Sequence, residues 1–202
     1  MRHTLILALL LAACTEPATT VVISVPDREG HETPMAGQEL VLLPYDRDSV
    51  ITSLAARAAT PQPDPAPLER LLDSLRIAYA EFGAVPVAGR PAAQRRLDAR
   101  RAELEPRIAE LRGVQHAWRD ATYASYDSLT FRMIRKLARD PFPDTTDARG
   151  MVTVRPTRSG PWWVTVTAWD AADPFSEWYW NRPLQGDTVR LTTANARHRP
   201  RI

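Results

Sequence analysis

The spacing of apolar and polar positions changes twice along this chain and divides it into three parts. Residues 20–25, Thr-Val-Val-Ile-Ser-Val, are mostly β-branched and stop at the turn-forming run 26–30, so they predict a strand. Residues 38–43 predict a second strand, closed by Pro44. Both are nearly continuously apolar, as buried strands are. A stiff proline segment follows at 60–67, Thr-Pro-Gln-Pro-Asp-Pro-Ala-Pro. The period then lengthens. Leu68, Leu71, Leu72, Leu75, Tyr79 and Phe82 form one stripe of a helix that Gly83 suits as an end. A second helix is expected from Pro91, carrying Leu97, Leu104, Ile108 and Leu111, with Pro106 set to kink or split it. A third runs from about 114 to 138, with Tyr123, Tyr126, Thr130, Met133, Ile134 and Leu137 on one face.

From Thr146 the two-residue period returns. Strands are expected at 150–154, 162–169, 177–180 and 188–192, separated by turn signals at 159–161, 181–183 and 186–187. In the longest run, Trp162, Val164, Val166 and Ala168 share one face, and Trp163, Thr165, Thr167 and Trp169 the other. The prediction is an α+β chain: a β-sandwich interrupted by a helical insertion of two to three helices. Its segments are 14–60 (N-terminal strands), 61–140 (proline linker and helices) and 141–202 (C-terminal strands), after a leader at 1–13. If the two flanks form one sheet system, residues 141–202 cannot fold alone.

That leader changes the picture most. Met1-Arg2-His3 precedes an apolar run ending Leu11-Ala12-Ala13-Cys14, the pattern of a bacterial lipoprotein signal with its lipobox. The run is too short for a permanent membrane span. Cleavage before Cys14 would leave that cysteine lipidated at its thiol and amino group, tying the protein to a membrane by several acyl chains. Thr15, in place of an aspartate retention signal, points to the outer membrane, with the chain facing the periplasm or the cell surface. Cys14 is the single cysteine, so the remainder has no thiol for a disulfide, a metal or a nucleophile.

The β-segments resemble the carboxypeptidase regulatory-like domains, transthyretin-like sandwiches of exported bacterial proteins. The resemblance rests on Thr146-Asp147-Ala148-Arg149-Gly150 before a strand, on Ser159-Gly160-Pro161 before Trp163-Val164-Thr165-Val166, and on the closing Gly186-Asp187-Thr188-Val189-Arg190-Leu191. It covers about 75 residues at the two ends and none of 61–140. It implies an Ig-like antiparallel topology and a scaffold or interaction role without catalysis.

Charge and chemistry narrow the function classes. With 26 basic against 24 acidic residues and an exported address, nucleic acid is not an expected partner. No Gly-x-Ser-x-Gly elbow, phosphate loop or dinucleotide-binding glycine pattern occurs. The histidines after the leader, His31, His116 and His198, fall in different segments without metal-ligand spacing, so no metal or cofactor is expected. Asp144, Asp147, Asp170 and Asp173 read as turn-capping residues rather than calcium ligands, and Asp46 and Asp48 as a solvated loop. The candidate binding surface is aromatic: Trp163, Trp169, Trp178 and Trp180. Trp163 and Trp169 are expected to pack on the helices through residues such as Trp118 and Tyr126.

Two readings follow. One is a non-enzymatic scaffold or interaction lipoprotein that contacts another envelope protein. The other is a carbohydrate- or peptidoglycan-binding module using the tryptophan face. An envelope hydrolase with a site assembled from dispersed Asp, Glu and His is a third class that no spacing singles out.

Overall fold

The computed structural model describes residues 18–27, 29–156 and 158–201, so Cys14 and the leader lie outside the described residues. Burial alternates along the whole of β1 (Thr19–Pro26), which sends Val21, Ile23 and Val25 inward. Residues 19–22 pair antiparallel with β5 (Met151–Val154), and residues 24–26 with β2 (Glu32–Pro34). On the other side of β1, β8 (Thr188–Leu191) runs parallel. The second sheet is antiparallel throughout, in the order β4 (Phe142–Thr145), β3 (Glu39–Leu43), β6 (Trp163–Trp169), β7 (Ser176–Pro183) and β9 (Arg197–Pro200). The two sheets close on a shared core to which β1 and Leu191 contribute from one side and Leu42, Val164, Val166 and Trp180 from the other.

Four helices connect β3 to β4: α1 (Arg47–Ala55), α2 (Ala66–Gly83), α3 (Arg90–Tyr123) and α4 (Tyr126–Leu137). Two separate clusters hold them. Leu68, Leu72 and Leu75 of α2 pack on Leu104 and Ile108 of α3, so this hairpin carries a core of its own. At roughly 1.5–3 kcal/mol for each buried side chain, it is a substantial one. Val50 and Leu54 of α1 pack with Leu43 and Tyr45, against Tyr126, Met133 and Ile134 of α4 and against Trp163. That cluster joins the helical block to the outer face of the five-stranded sheet.

The α+β sandwich expected from the periodicity is present, with these differences. The strand pattern omits β2, β4 and β9, which are short edge strands. β4 contains Pro143, tolerated where a strand pairs on one side only, and β9 is Arg-His-Arg-Pro with no apolar face. One pairing, β1 with β8, is parallel in a sandwich expected to be antiparallel. The helical part starts at Arg47 rather than after residue 60, because Asp46 caps a short helix whose apolar stripe is just Val50 and Leu54. Of the two outcomes expected at Pro106, a kink or a split, α3 stays one long bent helix, and the expected third helix is divided between the end of α3 and α4.

The end of α4 is fixed by an unusual contact. Ala138 is left-handed at φ 51°, and the next residue, Arg139, is buried. Its guanidinium donates to the Pro161 carbonyl at 2.9 Å and lies 5.6 Å over the Trp162 ring. Gly160, at φ +126°, leaves the space this guanidinium fills, and a Cβ there would overlap Arg139 Nη1. Gly160→Ala is expected to lower stability by about 2–4 kcal/mol through strain and displacement of Arg139, read by chemical denaturation. Because β1 lies between β5 and β8, and β3 between β4 and β6, residues 141–202 alone lack the central strand of one sheet and a required neighbour in the other. That fragment is expected to show no cooperative thermal transition.

Candidate functional site

Three rows of side chains define the outer face where β6, β7 and β9 lie side by side. Thr165 is opposite Asn181, Thr167 is in register with Tyr179 and Arg197, and Trp169 with Glu177 and Arg199. α1 crosses this face and is clasped to it by polar groups far apart in sequence. Asn181 donates to Asp46 at 2.6 Å and accepts from Thr165 at 3.0 Å. The Tyr179 hydroxyl donates to Asp48 at 2.9 Å, and Arg197 donates to the other Asp48 oxygen at 2.6 Å. The solvated-loop reading of Asp46 and Asp48 is therefore corrected. Asp46 is the N-cap of α1, accepting from the Asp48 amide at 3.0 Å, and Asp48 is the point where helix and sheet are tied.

The electrostatics follow from that packing. Burial pushes the Tyr179 phenol up to about 12, and the neighbouring Asp48 carboxylate adds to the effect. For Asp46, burial acts to raise the pKa, but hydrogen bonds from Ser49 and Asn181 outweigh it and hold the carboxyl below its ordinary value. Arg199 stacks on the Tyr179 ring at 4.2 Å while its Nε donates to Glu177 at 2.7 Å. Beside this network a cleft of about 230 Å3 opens between α1, the proline segment and α3, with Arg47, Gln115, Trp118 and Arg119 in its lining.

The structure separates the four candidate tryptophans. Trp169 is 68 % exposed at the open end of the outer face, with the Arg201 guanidinium 4.1 Å from its ring. Trp163 is half-buried and packs on the cluster of Leu43, Tyr45, Val50 and Leu54, which Tyr126 of α4 also meets. Trp178 is half-buried and stacks on His198 at 4.3 Å. Trp180 is 1 % exposed and donates from Nε1 to the Thr192 carbonyl, which commits it to the core. The four thus form no common platform. Trp169 lines a surface hollow together with Arg112 of α3, and Trp118 packs on Tyr123 and donates to the Thr60 carbonyl, strapping the proline segment to α3.

The remaining candidates fall into local roles. Asp147 accepts from the Arg149 and Met151 amides, and these hydrogen bonds lower its pKa. Asp170 accepts from the Ala172 amide and pairs with His198 at 2.9 Å, and Asp173 accepts from Phe175 and pairs with Arg76 at 2.7 Å. On the turn after β1, Asp27, Glu29 and His31 bring possible ligand atoms within 4.8 Å of one another. One oxygen of Asp27 there already accepts from the Glu29 and His31 amides. Arg47 and Gln115 carry no sequence signal that marks them as functional candidates beyond the capping Asp46 beside Arg47, two residues after Pro44.

Compared with known proteins, this chain matches no family model, no curated protein and no solved structure.

Removing the Asp48 carboxylate leaves the Tyr179 hydroxyl buried without its acceptor, so Asp48→Ala should cost about 1–3 kcal/mol in chemical denaturation. A phenol whose folded pKa lies above its unfolded value of about 10 binds its proton more tightly in the native state. Stability is therefore full below pH 10 and falls as pH rises towards 12, and Tyr179→Phe should flatten that alkaline decline in denaturation curves taken across the window.

Proposed function

We propose that this chain is a non-enzymatic lipoprotein of the bacterial envelope, anchored through Cys14 and acting as a scaffold or protein-interaction module. The observation that carries the reading is the α2–α3 hairpin. It has its own hydrophobic core, and its far end leaves Val87 75 % and Ile77 60 % exposed. Beside them a groove of about 560 Å3 runs between the helices, with Ala78, Phe82, Val85 and Leu97 among its walls and Glu81, Arg96 and Arg100 also in its lining. Apolar side chains left in water on a rigid arm are the usual mark of a surface that another protein covers. The carboxylates around Tyr179 are already engaged in pairs that hold α1 to the sheet, which is consistent with a structural role for that region.

The transthyretin-like resemblance belongs to the same reading. Two stacked sheets support it, as do positive φ angles at Gly150, Gly160 and Gly186, the glycines of its three motifs. The anchor fits the start of the fold. Four residues separate Cys14 from Thr19 of β1, so the two lie at most about 18 Å apart at 3.3–3.6 Å per residue step. Such a short tether holds that end of the sandwich against the bilayer, in the outer membrane on the Thr15 argument. Among the described residues no helix is long and apolar enough to cross a membrane. Glycan binding is the second reading. The exposure of Trp169 favours it, although the Arg201 guanidinium already lies over that ring.

The mass of the N-terminal peptide from cells should show an acylated Cys14, and Cys14→Ser should move the protein from the membrane to the soluble fraction. Photo-crosslinkers placed at Ile77 or Val87 in cells should capture one recurrent envelope protein, and a charged Ile77→Glu should abolish capture from Val87. Saturable glycan titration sensitive to Trp169→Ala, with no crosslinked protein, would replace the scaffold reading by the second.

A further inference from the structure

We propose that the cleft between α1, the proline segment and α3 binds a small organic carboxylate, gripped by Arg47 and Arg119 with Gln115 as a neutral donor. This goes beyond the scaffold reading and does not depend on the anchor.

The cations around this part of the sheet are unevenly paired. Arg197 has Asp48 at 2.6 Å and Arg199 has Glu177 at 2.7 Å. Arg47 is half-buried at the start of α1, yet among the described residues no carboxylate lies within 4.0 Å of it. Its neighbours are the Tyr126 and Tyr179 hydroxyls, which outweigh the effect of burial and favour its charged form without supplying a counter-anion. A charged guanidinium in a cleft with no counter-anion is a group that a carboxylate can pair with.

Gln115 supplies an independent observation. It is 9 % exposed, it lines the cleft, and among the described residues its amide makes no hydrogen bond. Its amide atoms are reached by solvent in the cleft and not sealed away, so they stand open to a ligand's polar atom. Arg119 stands one turn further along α3, on the exposed rim of the same cleft.

The walls indicate the rest of the ligand. Trp118, Tyr123, Ile51 and Pro63 are largely apolar surfaces. The Trp118 N–H is already given to the Thr60 carbonyl, so its indole acts as a wall and not as a donor. The volume of about 230 Å3 lies below the range that holds drug-sized ligands. A planar carboxylate on a flat apolar body satisfies both ends of the cleft, because guanidinium groups match carboxylates in paired hydrogen bonds. Glu177 faces the cleft with its charge held by Arg199, so the lining keeps an excess of positive charge.

The test is fluorine NMR of 4-fluorobenzoate titrated with the full chain in nonionic detergent, with 4-fluorobenzamide as the neutral isostere and chain-free micelles as the blank. The expected result is saturable binding of the benzoate at least tenfold tighter than of the benzamide. Arg119→Gln, a rim substitution that leaves the fold alone, should weaken the benzoate about fivefold or more and leave the benzamide unchanged. Gln115→Leu should also weaken the benzoate. Equal affinities for the two probes would reduce the site to a plain apolar cleft and overturn the proposal. Absence of saturable binding, an unchanged benzoate affinity in Arg119→Gln, or inorganic phosphate displacing benzoate as the tighter ligand would overturn it equally.

Discussion

The five-stranded sheet buries side chains on both faces, and a second sheet can cover only one of them. Leu42, Val164, Val166 and Trp180 face β1 and its partners across the sandwich. Leu43 and Trp163 face the opposite way, beside the buried Tyr179 and Thr165. Burying that outer face requires another layer, and in this chain it comes from α1 and α4. The layer is placed by polar contacts as well as by apolar packing. Asp46 and Asp48 bond to Asn181, Tyr179 and Arg197, residues 131 to 149 positions later in the chain. Each buried partner would lose its hydrogen bond if the helix slid by one turn, so these pairs set its register on the sheet.

The rest of the helical block is tied on less firmly with distance from α1. α3 packs against α1 near one end and forms a hairpin with α2 at the other, and the hairpin's core is separate from the sandwich core. Besides Phe175, which packs on the hairpin cluster, α2 reaches the sheet through Arg76, bonded to Asp173 and Ser176. Local opening costs least where few buried contacts cross a boundary. The arm is therefore the part of the molecule best able to tilt as a unit, while its own helices stay packed together.

The sequence made the sandwich legible where burial imposes a period. The alternation of Trp162, Val164, Val166 and Ala168 assigned the inner face of β6 correctly, and the Leu68–Leu72–Leu75 stripe located the buried face of α2. Edge strands were not legible, because a strand paired on one side needs neither alternation nor β-branched residues, as Arg-His-Arg-Pro in β9 shows. The anchoring of α1 was hidden for a different reason. Asp46 and Asp48 have partners more than 130 residues away, and no local pattern distinguishes a carboxylate aimed at a sheet from one in water. The tryptophans are concentrated on β6 and β7, but the sequence does not separate their roles. Strand parity put Trp178 and Trp180 on one face, but whether an outer face is covered depends on where the helices pack.

The cleft beside Tyr179 exists because three units meet there without filling the space. α1 brings Arg47, α3 brings Arg119 and Gln115, and the end of the sheet brings Arg199. Closing the gap would press these guanidinium groups together, with Glu177 as the single carboxylate in the lining. Like charges drawn into a space of lowered dielectric repel more strongly as they approach, and each also loses its water. The apolar walls favour closure and the arginines oppose it, so the junction rests as an open slot of defined chemistry. An anion of the right size removes the opposition while leaving the walls their contact, and it would bind α1, α3 and the sheet into one layer.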